Sequence, residues 1–377
     1  MFHRLCIFFW ILFFISGLGA ENAEASLGKK IHTVEEKKVF VYGWAEYVPK
    51  SVLDAFSKET GIEVVYDAFD SIDTLETKLL ITSGYDLVFP PAWPLLCMGI
   101  KKDLFLPLKK EWIPNAQGCE ASILNNLSTI DPKNTYGMPY LWGTTGLGYD
   151  EEAIKALAPD APLKSWALVF DPYWAKRLSS LRIILLDSVT DVLQAALLYL
   201  HESPTTLDPA KWDKAIEVVM KVRPYITNFE GSRQAENLLE GQSALLQGFS
   251  TYISKACASA KIQTPPKQIS YTIPKEGAVV WVDVMTIPKN APHPRNAHRL
   301  IDFLLRPKIM AEISNTLRAS NAIPASRAWI HKNITEDPSL FPNAESMKRL
   351  HADFAPPFWL ARYLSRHWLK IKMGYRP

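Results

Sequence analysis

The sequence predicts an α/β protein in which helices cover the faces of a parallel sheet. Three observations predict it. Strand-like apolar runs alternate with helix-length segments from about residue 38 to 90. Proline and glycine punctuate the joints, at Pro49, Gly61, Gly84 and Pro90-Pro91. The chain has 377 residues, enough for two domains, with the apolar fraction of an ordinary globular protein.

The elements follow in order. Val39 and Val41 belong to a strand ending at Tyr42, where Gly43 breaks the run before Trp44, Glu46 and Tyr47. Pro49 opens a helix from Lys50 to Thr60 with Val52, Leu53 and Phe56 on one face, and Gly61 stops it. Glu63 to Phe69 reads as a second strand. Ser71 is placed to cap a helix carrying Leu75, Leu79 and Leu80, stopped by Gly84. Asp86 to Phe89 is a third strand, ended by Pro90-Pro91. In open sheets of this kind ligands bind beyond the carboxyl ends of the strands. Trp44 to Tyr47 and Pro91-Ala92-Trp93 fall at such ends.

The stretch from Tyr136 to Tyr149 is rich in glycine and aromatics and reads as a crossing between lobes, since glycine tolerates the dihedral changes of a hinge. It carries neither of the glycine-rich phosphate-loop patterns. Helix signals follow at 191–200 and 209–222. Ala278 to Ile287 is a strong strand, and period two puts Val279, Trp281, Asp283, Met285 and Ile287 on one face. Asp283 is therefore an acid in an apolar row. Such a group must meet a cation, find backbone donors or face a cleft.

Composition excludes some functions. A net charge of +3 without a basic block argues against nucleic acid. The eight His show no ligand spacing, and Gly241-Gln242-Ser243 lacks the second glycine of a nucleophile elbow. The expectation is no enzyme, no cofactor and no metal. Arg4, the apolar run from Leu5 to Ile15 and Ala23-Glu24-Ala25 make a secretory signal over 1–25, cleaved after Ala20 or Ala25. Its apolar core is too short for a membrane span, and Cys6 lies inside the run, not at a lipid attachment position. Cys97, Cys119 and Cys257 have no C-x-x-C spacing and form at most one bridge.

Twelve Trp is a high count, and several sit beside turn signals. Each binding candidate has a second reading. Trp44 and Tyr47 can simply cover the sheet. Glu46 can complement the positive end of the helix that follows Pro49. Asp191 follows Ser188 by three, as in a capping box. Taken together, carboxylates want cations, and ring faces attract ammonium groups and cover methylenes. A slender aliphatic amine, charged at one or both ends, suits such a set.

Six segments carry a family resemblance: Tyr42-Gly-Trp-Ala-Glu-Tyr47, Glu59-Thr-Gly-Ile-Glu-Val-Val-Tyr66, Tyr85-Asp-Leu-Val-Phe-Pro90, Gly137 to Tyr149, Ile273-Pro-Lys-Glu-Gly-Ala278 and Leu304-Leu-Arg-Pro307. The chain resembles the periplasmic spermidine/putrescine-binding proteins of polyamine ABC transporters, most of all the putrescine-binding branch. The resemblance runs from about Val39 to beyond Trp368. It implies a two-lobed periplasmic-binding-protein fold, each lobe a sheet flanked by helices, with a hinge. The first lobe would be 38–140 plus 283–327 and the second 141–282 plus 328–377. It further implies a monomer in the periplasm that captures putrescine or spermidine between the lobes and delivers it to a membrane permease.

The implied ligand residues are Trp44, Glu46, Tyr47, Asp191, Phe249, Trp281 and Asp283, with Trp93, Tyr252 and Arg318 as further candidates. The sequence departs from the family pattern at four positions. Pro91 stands where the family has a serine, Phe249 where it has a Trp, Tyr252 where it has an acid, and Ala319, beside Arg318, where it has a Tyr. If Arg318 faces the cleft, an amino compound carrying a carboxylate becomes the alternative ligand; otherwise the guanidinium points to solvent. A secreted enzyme on the same scaffold is the remaining alternative.

Overall fold

The computed structural model describes residues 36–374 apart from 70–71 and 82–83. The expected signal segment, Cys6 and the capping residue Ser71 lie outside the described residues. Eleven strands form the sheet: β1 (Lys38–Trp44), β2 (Glu63–Phe69), β3 (Leu87–Val88), β4 (Gly137–Asp150), β5 (Ile183–Leu185), β6 (Ile226–Phe229), β7 (Leu245–Phe249), β8 (Ile269–Thr272), β9 (Ala278–Thr286), β10 (Ser320–Asn321) and β11 (Leu350–Ala352). The main path runs β2-β1-β3-β9-β4-β7-β5-β6. β8 and β10 pair with β4, and β11 pairs with β9.

The sheet is mixed, not parallel throughout. β2-β1-β3 and β7-β5-β6 are parallel, as βαβ units require. Between them β9 and β4 run antiparallel to each other and to their outer neighbours. β4 explains how the two parallel groups are joined. Its residues Gly137 to Thr144 pair with β9, and Thr145 to Asp150 pair with β7 and β8. The glycine-rich stretch is thus one continuous strand crossing from one group to the other.

Local sequence accounts for much of this. The helix Lys50–Thr60 starts after Pro49 and ends at Gly61, which takes the left-handed conformation (φ 67°) that glycine tolerates best. Val52 and Phe56 are buried beneath it. The first strand, however, does not stop at Tyr42: it runs through Gly43 to Trp44. Gly43 is there because a side chain would collide with the Tyr66 hydroxyl, 2.2 Å from where its Cβ would stand. That hydroxyl donates to the Trp44 carbonyl at 2.7 Å. The third strand keeps only Leu87 and Val88.

The core follows the same division. One cluster gathers Val41, Phe56, Phe89, Tyr140 and Met285 with the helices after residue 294. Another gathers Leu147, Ile183, Val192, Trp212 and Leu245 with the C-terminal helix Phe358–Met373. Cys97, Cys119 and Cys257 are free thiols. Among the described residues no helix is long and apolar enough to cross a membrane.

Candidate ligand-binding site

β9 positions the first acid. Its burial alternates so that Trp281 and Asp283 are half-buried between buried neighbours. The Tyr47 hydroxyl donates to Asp283 Oδ2 at 2.5 Å. Tyr47 is fixed in turn: its ring meets Phe89 and Tyr140 edge-on, and the Tyr140 hydroxyl donates to its carbonyl at 2.9 Å. A bulge in β4 between Pro139 and Leu141 supplies Tyr140, as bulges commonly re-aim a side chain. Among the described residues no cation accompanies the pair. Burial pushes the Asp283 carboxyl up to about 6, against the Tyr47 hydrogen bond, which lowers it. The Tyr47 phenol is raised well above its ordinary value by burial and then by the Asp283 charge.

Glu46 lies in the turn between β1 and the following helix. It adopts a left-handed conformation (φ 57°) and is exposed. A non-glycine residue there costs about 1 kcal/mol or more. The Trp44 carbonyl accepts from the Tyr47 N–H at 3.2 Å, closing the turn. The Trp44 ring packs on Phe69, with centroids 4.5 Å apart. Pro91 bridges directly to Asp283 across the sheet, so the half-buried Trp93 stands two residues beyond that bridge.

The second acid is built differently. Ser188 caps the helix Val189–Tyr199 and accepts from the Asp191 N–H at 3.3 Å. That is one half of a capping box. The other half is absent, because Asp191 Oδ1 accepts from the Thr145 hydroxyl at 3.0 Å. Buried Gln247 donates to the Asp191 carbonyl at 2.9 Å, tying the helix start to β7. Burial raises the Asp191 carboxyl, opposed by Ser188 and Thr145.

Aromatic rings join the two ends. Phe249 and Trp281 meet at 6.1 Å and 80°, and Phe249 lies 6.4 Å from Tyr252. Gly143 permits this, because a Cβ there would stand 2.3 Å from the Trp281 ring. Tyr252 is 43% exposed as a residue, while desolvation and the nearby Asp283 charge raise its phenol. Arg318 is neither free in solvent nor beside Asp283. Its Nη2 lies 3.4 Å from Asp337 Oδ2 and from the Ser254 hydroxyl.

Three residues escaped the sequence reading. Thr145 orients Asp191. Lys255 lies near Glu46 and Glu236, whose charges partly offset the desolvation that lowers its ammonium. Asp353 lies near Asp191. Thr145 lies within the glycine-rich segment from Gly137 to Tyr149, Lys255 and Asp353 lie in no motif, and the role of each is set by tertiary contact. Among the described residues no group of His, Cys, Asp and Glu is placed to hold a metal ion.

The model of the bacterial extracellular solute-binding proteins matches residues 51–342. The chain belongs to that family. Relatives of this solute-binding protein bear out the resemblance in its sequence. The putrescine-binding periplasmic protein SpuD of Pseudomonas aeruginosa is 37% identical over 96% of each chain. A putrescine/agmatine-binding protein of the same species is 36% identical over 90% of this chain and 93% of its own. The putrescine-binding periplasmic protein PotF of Escherichia coli is 33% identical over 90% and 92%. Among solved structures, the spermidine/putrescine ABC transporter substrate-binding protein PotD of Streptococcus pneumoniae superposes with a TM-score of 0.78 at 25% identity, covering 90% of this chain and 99% of its own. The solute-binding protein thus has the periplasmic-binding-protein fold.

Proposed function

We propose that this chain captures a short polyamine, putrescine or spermidine, in the periplasm and delivers it to the permease of an ABC importer, acting as a single chain after export by its N-terminal signal. Asp283 carries the reading. A carboxylate half-buried among apolar residues, with one phenol and no cation among the described residues, is an anionic site suited to a positive ligand. Tyr47, Trp281 and Phe249 surround it with rings, which suit ammonium groups and methylenes.

Strand register supports a ligand charged at both ends. Leu141 faces Asp283 and Thr145 holds Asp191. Four residues of strand separate them by about 13 Å. Two charge-assisted bonds of about 2.8 Å each leave roughly 7 Å, the reach of a short extended diamine. Trp44, Glu46, Trp93 and Tyr252 would complete the walls.

The lobes would move as 38–140 plus 283 onward against 141–282 plus the C-terminal segment. We place the last boundary near 342 instead of 328, since Ile330, Ile334 and Leu340 pack with Ala311. The carboxylate-bearing amine is disfavoured because Arg318 is already paired with Asp337.

Calorimetry with putrescine, spermidine, cadaverine and agmatine tests the reading. Heat with at least one of the first two is expected. Folded protein that gives none with any of them would sink the polyamine assignment.

A further inference from the structure

The C-terminal helix Phe358–Met373 turns one face inward and leaves the other uncovered. Leu360, Leu364, Trp368 and Ile371 are buried in the core cluster around Trp212. The opposite face should be polar if it only met water. It is not. Phe358 is 80% exposed and Met373 74%, and Trp359 and Leu369 are exposed between them. Arg362, Arg366 and Lys370 are exposed on the same face. At about 3.6 residues per turn these apolar and basic side chains share one arc of roughly 120°, running about 22 Å along the helix.

No acid answers those charges. The helix contains no Asp or Glu. Among the described residues Arg362, Arg366 and Lys370 make no ion pair. The acids that reach the helix are engaged by other groups: Asp187 accepts from Lys372 and Trp368, and Asp213 from the Tyr363 hydroxyl. The last carbonyls would give this end a negative pole. The Arg223 guanidinium covers them, donating to those of Ile371 and Lys372. The face is therefore cationic and apolar from end to end.

That mixture selects its occupant. Pairing this face with itself in a second copy would set basic residues against basic residues. A protein partner would need acids and apolar pockets alternating at every turn. A lipid leaflet supplies both in one plane, with phosphates at the surface and acyl chains just beneath. Helices rich in Lys and Arg, with Trp, Phe and Leu, lie flat in that boundary. Long basic side chains keep their charges at the phosphates while Phe358 and Leu369 enter below them. We propose that the exposed face of the helix Phe358–Met373 is a docking surface for an anionic phospholipid membrane, on which the protein rests peripherally. The surface stands apart from the polyamine reading, because none of its residues belongs to the candidate ligand site.

Co-sedimentation with vesicles of phosphatidylcholine, with and without about one-third phosphatidylglycerol, tests it. Wild-type protein should bind only the anionic vesicles and leave them at high salt. The triple variant Arg362→Gln, Arg366→Gln, Lys370→Gln should partition at least about tenfold more weakly. Equal binding to both vesicles, binding to neither, or a triple variant that binds like the wild type overturns the proposal. So does protein that ignores lipid vesicles but binds membranes carrying the permease, which would make the partner a protein. Hydroxyl-radical footprinting of the wild type is independent of variant folding. Anionic vesicles should protect Phe358, Trp359 and Met373 but not the exposed Trp329, which lies outside this helix. No protection, or equal protection of Trp329, overturns the proposal too. Vesicle binding is read without putrescine, so this surface and the polyamine assignment fail separately.

Discussion

Asp283 and Asp191 are both half-buried acids, yet the fold supports their charges unequally. Asp191 rides the first turn of a helix, whose N-terminal end favours a negative charge, its carboxylate accepts from the Thr145 hydroxyl, and its N–H donates to the capping Ser188. Asp283 projects from the middle of a strand, which offers no such dipole, and has the Tyr47 hydroxyl. The lesson is that the helix end gives its acid more local support against the burial that raises it, while the strand end leans more on an external cation. If a cationic ligand binds here, the strand end should dominate the affinity.

The largest expected effect tests that order. Asp283→Asn should lower putrescine affinity by about 100-fold or more, the usual scale for removing one partner of a desolvated charge pair. Asp191→Asn should cost less, because Thr145 and Ser188 are left with a polar side chain to bond. Calorimetry on both variants decides; a larger loss in Asp191→Asn reverses the comparison.

The next effect follows from the Asp283 carboxyl at about 6. A cation binds its ionised form, so affinity should rise with pH and level off above about 6. At pH 5 roughly one carboxyl in ten is ionised, and affinity should fall about tenfold from the plateau. Stability of the ligand-free protein runs the other way. The folded state holds this proton more tightly than the unfolded chain, whose carboxyl is near 3.8. Stability contributed by the group is therefore present below about 4 and lost as pH rises through about 6. The difference between wild type and Asp283→Asn in thermal unfolding, taken across that window, isolates the contribution. A flat difference would mean that Asp283 is already charged when the site is empty.

A smaller effect is expected at Tyr47. Tyr47→Phe keeps the ring against Phe89 and Tyr140 and deletes the donor to Asp283. A hydrogen bond to a charged group contributes about 1.5–3 kcal/mol, but this one exists with and without ligand, so only part of it bears on binding and affinity should fall about five-fold. Without that donor the Asp283 carboxyl should rise further, moving the pH plateau upward in the same titration.

Much of the strand end was legible in the sequence, and much of the helix end was not. Period two in Ala278 to Ile287 places an acid in an apolar row, and that pattern needs no tertiary knowledge. The turn from Trp44 to Tyr47 is marked by its residue types. Gly43 was misread as a strand breaker because the reason for it, the Tyr66 hydroxyl, comes from the neighbouring strand. Ser188 and Asp191 look like a capping box, and half of one exists; the choice between cap and ligand group depends on Thr145, 46 residues earlier. Asp353 was invisible because β11 is three residues long, too short for any period to show. Arg318 could be placed only once Asp337 and Ser254 were.

The smallest effect concerns Glu46, the acid that is neither buried nor on a regular element. Its left-handed backbone would suit glycine, so the side chain persists at a conformational cost. Replacing it by glycine at a compatible backbone position should raise stability by about 1 kcal/mol. Lys255 lies nearby and already answers part of the Glu46 charge. Its loss should therefore cost putrescine only a few-fold in affinity, well below the loss at Asp283. Glu46→Gly should thus unfold at a higher temperature while binding slightly more weakly. If stability falls instead, the Glu46–Lys255 attraction outweighs the backbone strain, and Glu46 is a fastening of the turn before it is a wall of the site.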